Sequence, residues 1–206
     1  LYLPKSWTED RERCWDAGIP DDVEFATKPA LAADMLSRAV EAGVPAGWVA
    51  GDEVYGGNPA LRKRIRELKL GYVLMIACNQ HVATPAGPMP AEKCAKLAPK
   101  RSWQRLSAGR GSKGERYYDW LWCELTPEDD DDKGHHWLLV RRNRSTGELA
   151  YLRCYNPRRV PLRVLIRVAG QRWRIEESFQ SGKELAGLDQ HQVRKWTSWH
   201  RWTTLA

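Results

Sequence analysis

Apolar residues three and four apart at Leu31, Met35, Leu36, Ala39 and Val40 predict a helix that opens at Pro29 and closes at Gly43. A short apolar stretch, Gly47-Trp48-Val49-Ala50-Gly51, follows and ends in Asp52. Asn58-Pro59 then starts a second helix to about Lys69, with Leu61, Ile65 and Leu68 on one face against five basic residues. Residues 72–78 form a continuous apolar run of strand length, the pattern of a strand buried on both sides. The order helix, strand, helix, strand predicts a parallel α/β unit.

The pattern changes after Asn79. Residues 83–114 are rich in Pro, Gly, Ala, Lys and Arg and carry no sustained period, so an irregular stretch is expected. Three strand-like runs follow at 116–125, 135–142 and 149–155, an antiparallel β segment. They are separated by an acidic run at 128–132, expected to be a solvated hairpin tip, and by the turn Asn143-Arg144-Ser145-Thr146-Gly147. From Pro161 a helical pattern returns and runs to about Ala186, with a bend expected at Gly170, and Gly187-Leu188 ends it. Another helix begins near Trp196, while residues 1–27 read as polar and irregular. The expected division is 1–79, an α/β part; 80–157, a β-rich insertion; and 158–206, a helical part.

Charge sharpens this picture. The 206 residues carry a formal charge of +7, which favours a polyanionic partner. The five cysteines are odd in number, widely spaced and without a CxxC pair, against a zinc ribbon or a disulfide framework and in keeping with a reducing cytoplasm. No apolar run is long enough to span a bilayer. Eleven tryptophans supply large apolar surfaces for a core or for stacking on bases. The basic stretch 93–116, which includes Trp103, suits either a DNA path or a solvated loop. His135 and His136 begin a strand, so their side chains should face opposite ways and share no metal.

Two places carry chemistry. Asp52 ends a buried strand, where open α/β sheets put their ligands, and a partly dehydrated carboxylate there suits a hard cation. The other reading is a capping aspartate ahead of Asn58-Pro59, and Glu53 competes with Asp52 for the role. In the helix Gln171-Arg172-Trp173-Arg174-Ile175-Glu176-Glu177, followed by Lys183, the residues Arg172, Glu176 and Lys183 fall within about 40° of one another. Glu177 lies about 100° further round. A carboxylate flanked by two cations can bind metal while the cations hold phosphates. The plain alternative is an ordinary surface ion pair between Arg172 and Glu176.

These residues resemble the DDE transposases of bacterial insertion sequences, in particular those with a β insertion before the last catalytic helix. Arg172, three residues, Glu176, six residues and Lys183 stand in register with that family's signature. So do Gly51-Asp52-Glu53-Val54-Tyr55-Gly56, the opening Leu1-Tyr2-Leu3-Pro4-Lys5-Ser6-Trp7 and the late Gly187-Leu188-Asp189-Gln190. The signature's tyrosine position holds Ala169. The resemblance implies an α/β, RNase H-like core with an antiparallel β insertion and C-terminal helices. It implies two divalent ions, Mg²⁺ or Mn²⁺, held by Asp52 and Glu176, with Arg172 and Lys183 on the DNA backbone. It further implies double-stranded DNA as partner (transposon ends and target), a homodimer when two ends are joined, and a cytoplasmic, nucleoid-associated location.

The family's first aspartate lies on the first strand of the core. Asp10, Asp16, Asp21, Asp22 and Asp34 precede Asp52, and none lies on an apolar strand. That aspartate is therefore expected upstream of Leu1, and the segment alone is expected to be inactive. Two other readings share the scaffold: a non-catalytic DNA-binding remnant, and another RNase H-fold nuclease.

Overall fold

The structure, a computed structural model, describes residues 1–111, 114–127, 132–192 and 194–205. Its helices are α1 (Lys5–Thr8), α2 (Arg11–Ala17), α3 (Lys28–Glu41), α4 (Glu53–Gly56), α5 (Pro59–Glu67), α6 (Ala91–Leu97), α7 (Leu162–Ala186) and α8 (Trp196–Leu205). The strands are β1 (Trp48–Gly51), β2 (Gly71–Ile76), β3 (His81–Thr84), β4 (Gly87–Pro90), β5 (Gln104–Gly111), β6 (Gly114–Leu125), β7 (His135–Arg142) and β8 (Leu149–Asn156). The chain divides into two compact units, 32–172 and a smaller one made of 1–31 with 173–206.

The larger unit is built on a six-stranded sheet in the order β1-β2-β8-β7-β6-β5. β1 and β2 are parallel, as the helix–strand alternation predicts, and β2 pairs antiparallel with β8, Tyr72 opposite Tyr155. The β-rich segment thus continues the same sheet, and a mixed α/β, RNase H-like architecture with an antiparallel extension results. β2 is buried on both faces because α5 packs on one side through Leu61 and Ile65, while Val73 joins a second core on the other. That second core holds Trp120, Trp137, Leu139 and Cys154 from the sheet against Leu162, Leu165 and Ile166 of α7. Burial of this kind contributes about 1.5–3 kcal/mol per large apolar side chain, which is why the long apolar runs were readable.

Three expectations need correction. Residues 83–114 are ordered: β3 and β4 form a hairpin, α6 buries Ala91, Cys94 and Ala95, and β5 is the sheet's edge. These pieces are short and closed by local bonds such as Thr84 Oγ1 donating to the Gly87 carbonyl at 2.7 Å, so no long period announces them. The opening residues also form helices. Asp10 caps α2 by accepting from the Arg13 N–H at 3.0 Å, and Gly18 ends it in the left-handed region at φ 70°.

The third concerns the acidic run. Residues 128–131 lie outside the described residues, but Asp132 is no solvated tip. Its carboxylate accepts from Arg66 Nε at 2.9 Å and lies 2.9 Å from His136 Nε2, with all three side chains 9% exposed or less. α7 itself runs as one helix from Leu162 to Ala186, ending just before Gly187 as its pattern predicts. His135 and His136 do face opposite ways: His135 stacks on Trp137, whereas His136 meets Tyr155.

The smaller unit holds α1, α2 and α8 with the second half of α7. Cys14, Ala17 and Ile19 form its core, joined by Trp7 and Trp196. No helix among the described residues is long and apolar enough to cross a membrane.

Candidate active site

Asp52 stands one residue past β1, at the carboxyl end of the parallel strand pair. It is the N-cap of α4, its Oδ1 accepting the Val54 N–H at 2.9 Å. The capping reading and the metal reading are compatible, since a carboxylate that bonds one backbone N–H retains a second oxygen. Capping also fixes the direction of the side chain, which a metal ligand requires. Glu53 lies inside α4 and is exposed, so its carboxylate lacks that anchoring.

The turn beneath Asp52 is held from two sides. Gly56 packs so tightly on β2 that a Cβ there would sit 1.9 Å from the Met75 carbonyl oxygen. Arg62, only 2% exposed, reaches from α5 and donates from Nη1 to the Gly56 carbonyl at 2.7 Å. A guanidinium so buried is costly unless its donors are used, and here one closes the α4 turn. Sequence reasoning passed over Arg62 as one of five basic residues on a solvated face. Its signal is its place one residue after the apolar Leu61, beside the buried stripe of α5.

Arg172, Glu176 and Lys183 all lie on α7, so the helical geometry inferred from their spacing holds. Arg172 is half-buried and closes the larger unit, whereas Glu176 and Lys183 are exposed and belong to the smaller one. Glu177 accepts from Trp173 Nε1 at 2.9 Å, which occupies it locally. Ala169, at the tyrosine position, packs against the core of the larger unit.

Three of the five earlier aspartates are engaged locally. Asp10 caps α2, Asp21 pairs with Arg11 at 2.9 Å, and Asp34 pairs with Arg38 at 3.1 Å on an exposed helix face. No group of three or more His, Cys, Asp or Glu placed to hold a metal ion occurs among the described residues.

The chain belongs to the DDE superfamily endonucleases, whose sequence model matches residues 1–117. That span takes in Asp52 and ends within β6, before α7 begins. No curated protein matches the chain.

Proposed function

We propose that this chain serves a DNA transposase of an insertion sequence, in metal-dependent hydrolysis and strand transfer at transposon ends. The observation that carries the reading is Asp52, capped and braced at the carboxyl end of β1 in a chain of the DDE superfamily endonucleases. Asp52 and Glu176 would hold two divalent ions, Mg²⁺ or Mn²⁺; their donors are carboxylate oxygens, the type such ions prefer. Bound there, the ions supply Lewis acidity at a phosphodiester. Arg172 and Lys183, on the same line of α7 as Glu176, would take neighbouring phosphates and orient the DNA without reading its sequence. Joining two ends calls for a pair of subunits on double-stranded DNA. The Ala169 side chain has neither a hydroxyl nor a ring, so this chain dispenses with a tyrosine contact.

Two carboxylates make an incomplete two-metal site, and none of Asp10, Asp16, Asp21, Asp22 and Asp34 lies on a strand. The isolated 206-residue chain is therefore expected to bind metal weakly and to leave transposon-end DNA uncut in Mg²⁺. Robust nicking by this chain would refute that expectation.

Shared coordination is tested by substituting Fe²⁺ and adding ascorbate and peroxide, which cleaves the backbone beside a bound metal. Cuts are expected near both residue 52 and residue 176, lost together in either Asp52→Asn or Glu176→Gln. Cutting near 52 alone, unaffected by Glu176→Gln, would separate the two acids and end the transposase reading.

A further inference from the structure

β5 is bulged: Ser107 pairs with Tyr117 and Arg110 with Glu115, so Ala108 and Gly109 together face Arg116. Such a bulge turns backbone carbonyls out of the ladder, and Arg116 collects them. Its Nη2 donates to the Ala108 carbonyl at 3.0 Å and its Nε to the Gly109 carbonyl at 3.3 Å. The same Nη2 donates at 3.0 Å to the carbonyl of Gly170, on α7. The bulge itself presses into the helix at that residue, because a Cβ on Gly170 would lie 2.1 Å from the Ala108 oxygen and 3.0 Å from its carbon.

A glycine within a 25-residue helix lowers helix stability by about 1 kcal/mol relative to alanine. Here it does not end α7, which runs on to Ala186. What it does is admit the backbone of the edge strand. One guanidinium then ties two bulge carbonyls and one helix carbonyl together, fixing both the rotation of the helix and its position along its axis. Packing alone would fix neither so closely, since apolar contacts are non-directional. Two residues later on the helix stands Arg172.

We propose that Arg116, the bulge at Ala108 and Gly170 form a clamp that positions the turn of α7 bearing Arg172, and so sets where that arginine meets a DNA phosphate. Arg116 is thus a positioning residue. This rests on the reading of Arg172 as a phosphate contact, and the test separates the two.

The whole chain is titrated with a double-stranded oligonucleotide over a range of salt. Arg172→Ala is expected to weaken binding about tenfold and to flatten the salt dependence by about 0.9, one phosphate contact. Arg116→Gln and Gly170→Ala, the latter without any change of charge, should each reproduce most of that loss. Neither should add to it in an Arg172→Ala background, and Arg116→Lys should recover part of it. Additive losses would mean that Arg116 touches DNA itself, and would overturn the clamp.

Amide hydrogen exchange decides the matter independently of DNA. Faster exchange across residues 168–174 in Arg116→Gln is expected, and unchanged protection there refutes the clamp whatever Arg172 does. Loosened amides with an Arg172→Ala variant that binds DNA normally would keep the clamp and reject the role given to Arg172. Should Gly170→Ala fail to fold, Arg116→Gln and its cycle with Arg172→Ala carry the same test.

Discussion

Asp132→Ala is expected to destabilise the larger unit by about 3–5 kcal/mol, the cost of removing one partner from a buried ion pair. The carboxylate is 7% exposed and faces Arg66 and His136, whose side chains are 9% and 2% exposed. Its Oδ1 also accepts the Gly134 N–H at 2.9 Å, so the same side chain ties down the entry to β7. Truncation leaves a guanidinium behind in a place water reaches poorly, and Coulomb attraction lost there is not replaced by solvation. Asp132→Asn keeps the shape and an acceptor for Gly134 but removes the charge, and should recover only about 1 kcal/mol of the loss. A control is Asp34→Ala, whose partner Arg38 lies four residues on with both side chains about two-thirds exposed. That exposed pair should be worth about 0.3–0.5 kcal/mol. Urea unfolding of the three variants measures the differences. If Asp132→Ala costs no more than Asp34→Ala, the carboxylate faces solvent and the buried network does not exist.

Asp132 also shows where a sequence stops being readable. In the chain it is the last of a run of five acids, and such a run normally belongs to a solvated loop. What places it inside is Arg66, 66 residues earlier and itself one of many basic residues on α5, so no local pattern links them. Elements with buried apolar positions, such as α5, β2 and β7, were legible because burial imposes its period on the residues. α1, α2, α6 and the strands β3–β5 were not, since they are short or half-exposed and rely on caps and pairing.

The candidate site divides the same way. The place of Asp52 at the end of β1, and the shared line of Arg172, Glu176 and Lys183, follow from local periods. Arg62 and Arg116 do not, because each acts on backbone carbonyls, and a carbonyl has no letter in the sequence. The glycines that admit these contacts were visible as letters, but the close backbone approach that each permits was not.

Gly56→Ala should be the most damaging single methyl group near the site. The added carbon would lie 1.9 Å from the Met75 oxygen and 2.8 Å from its carbonyl carbon, both backbone atoms of the central strand β2. Neither can swing aside as a side-chain tip would, so α4 must lift from the sheet. Overpacking of this kind costs about 1–3 kcal/mol and more where backbone is the obstacle, and we expect about 3 kcal/mol here. The functional consequence should exceed the loss of stability. The backbone carbonyl of Asp52 accepts from the N–H groups of Tyr55 and Gly56, at 3.2 and 3.0 Å, and its Oδ1 accepts from that of Val54. It therefore moves with the turn, and the Arg62 bond to the Gly56 carbonyl is pulled out of line with it. Metal-directed backbone cleavage near residue 52 should vanish even at temperatures where Gly56→Ala remains folded. The neighbouring Gly57→Ala provides the contrast, because a Cβ there meets nothing nearer than 3.6 Å and the change should stay within about 0.5 kcal/mol. If both alanine variants cleave and unfold alike, the seating of α4 on β2 has no part in holding Asp52.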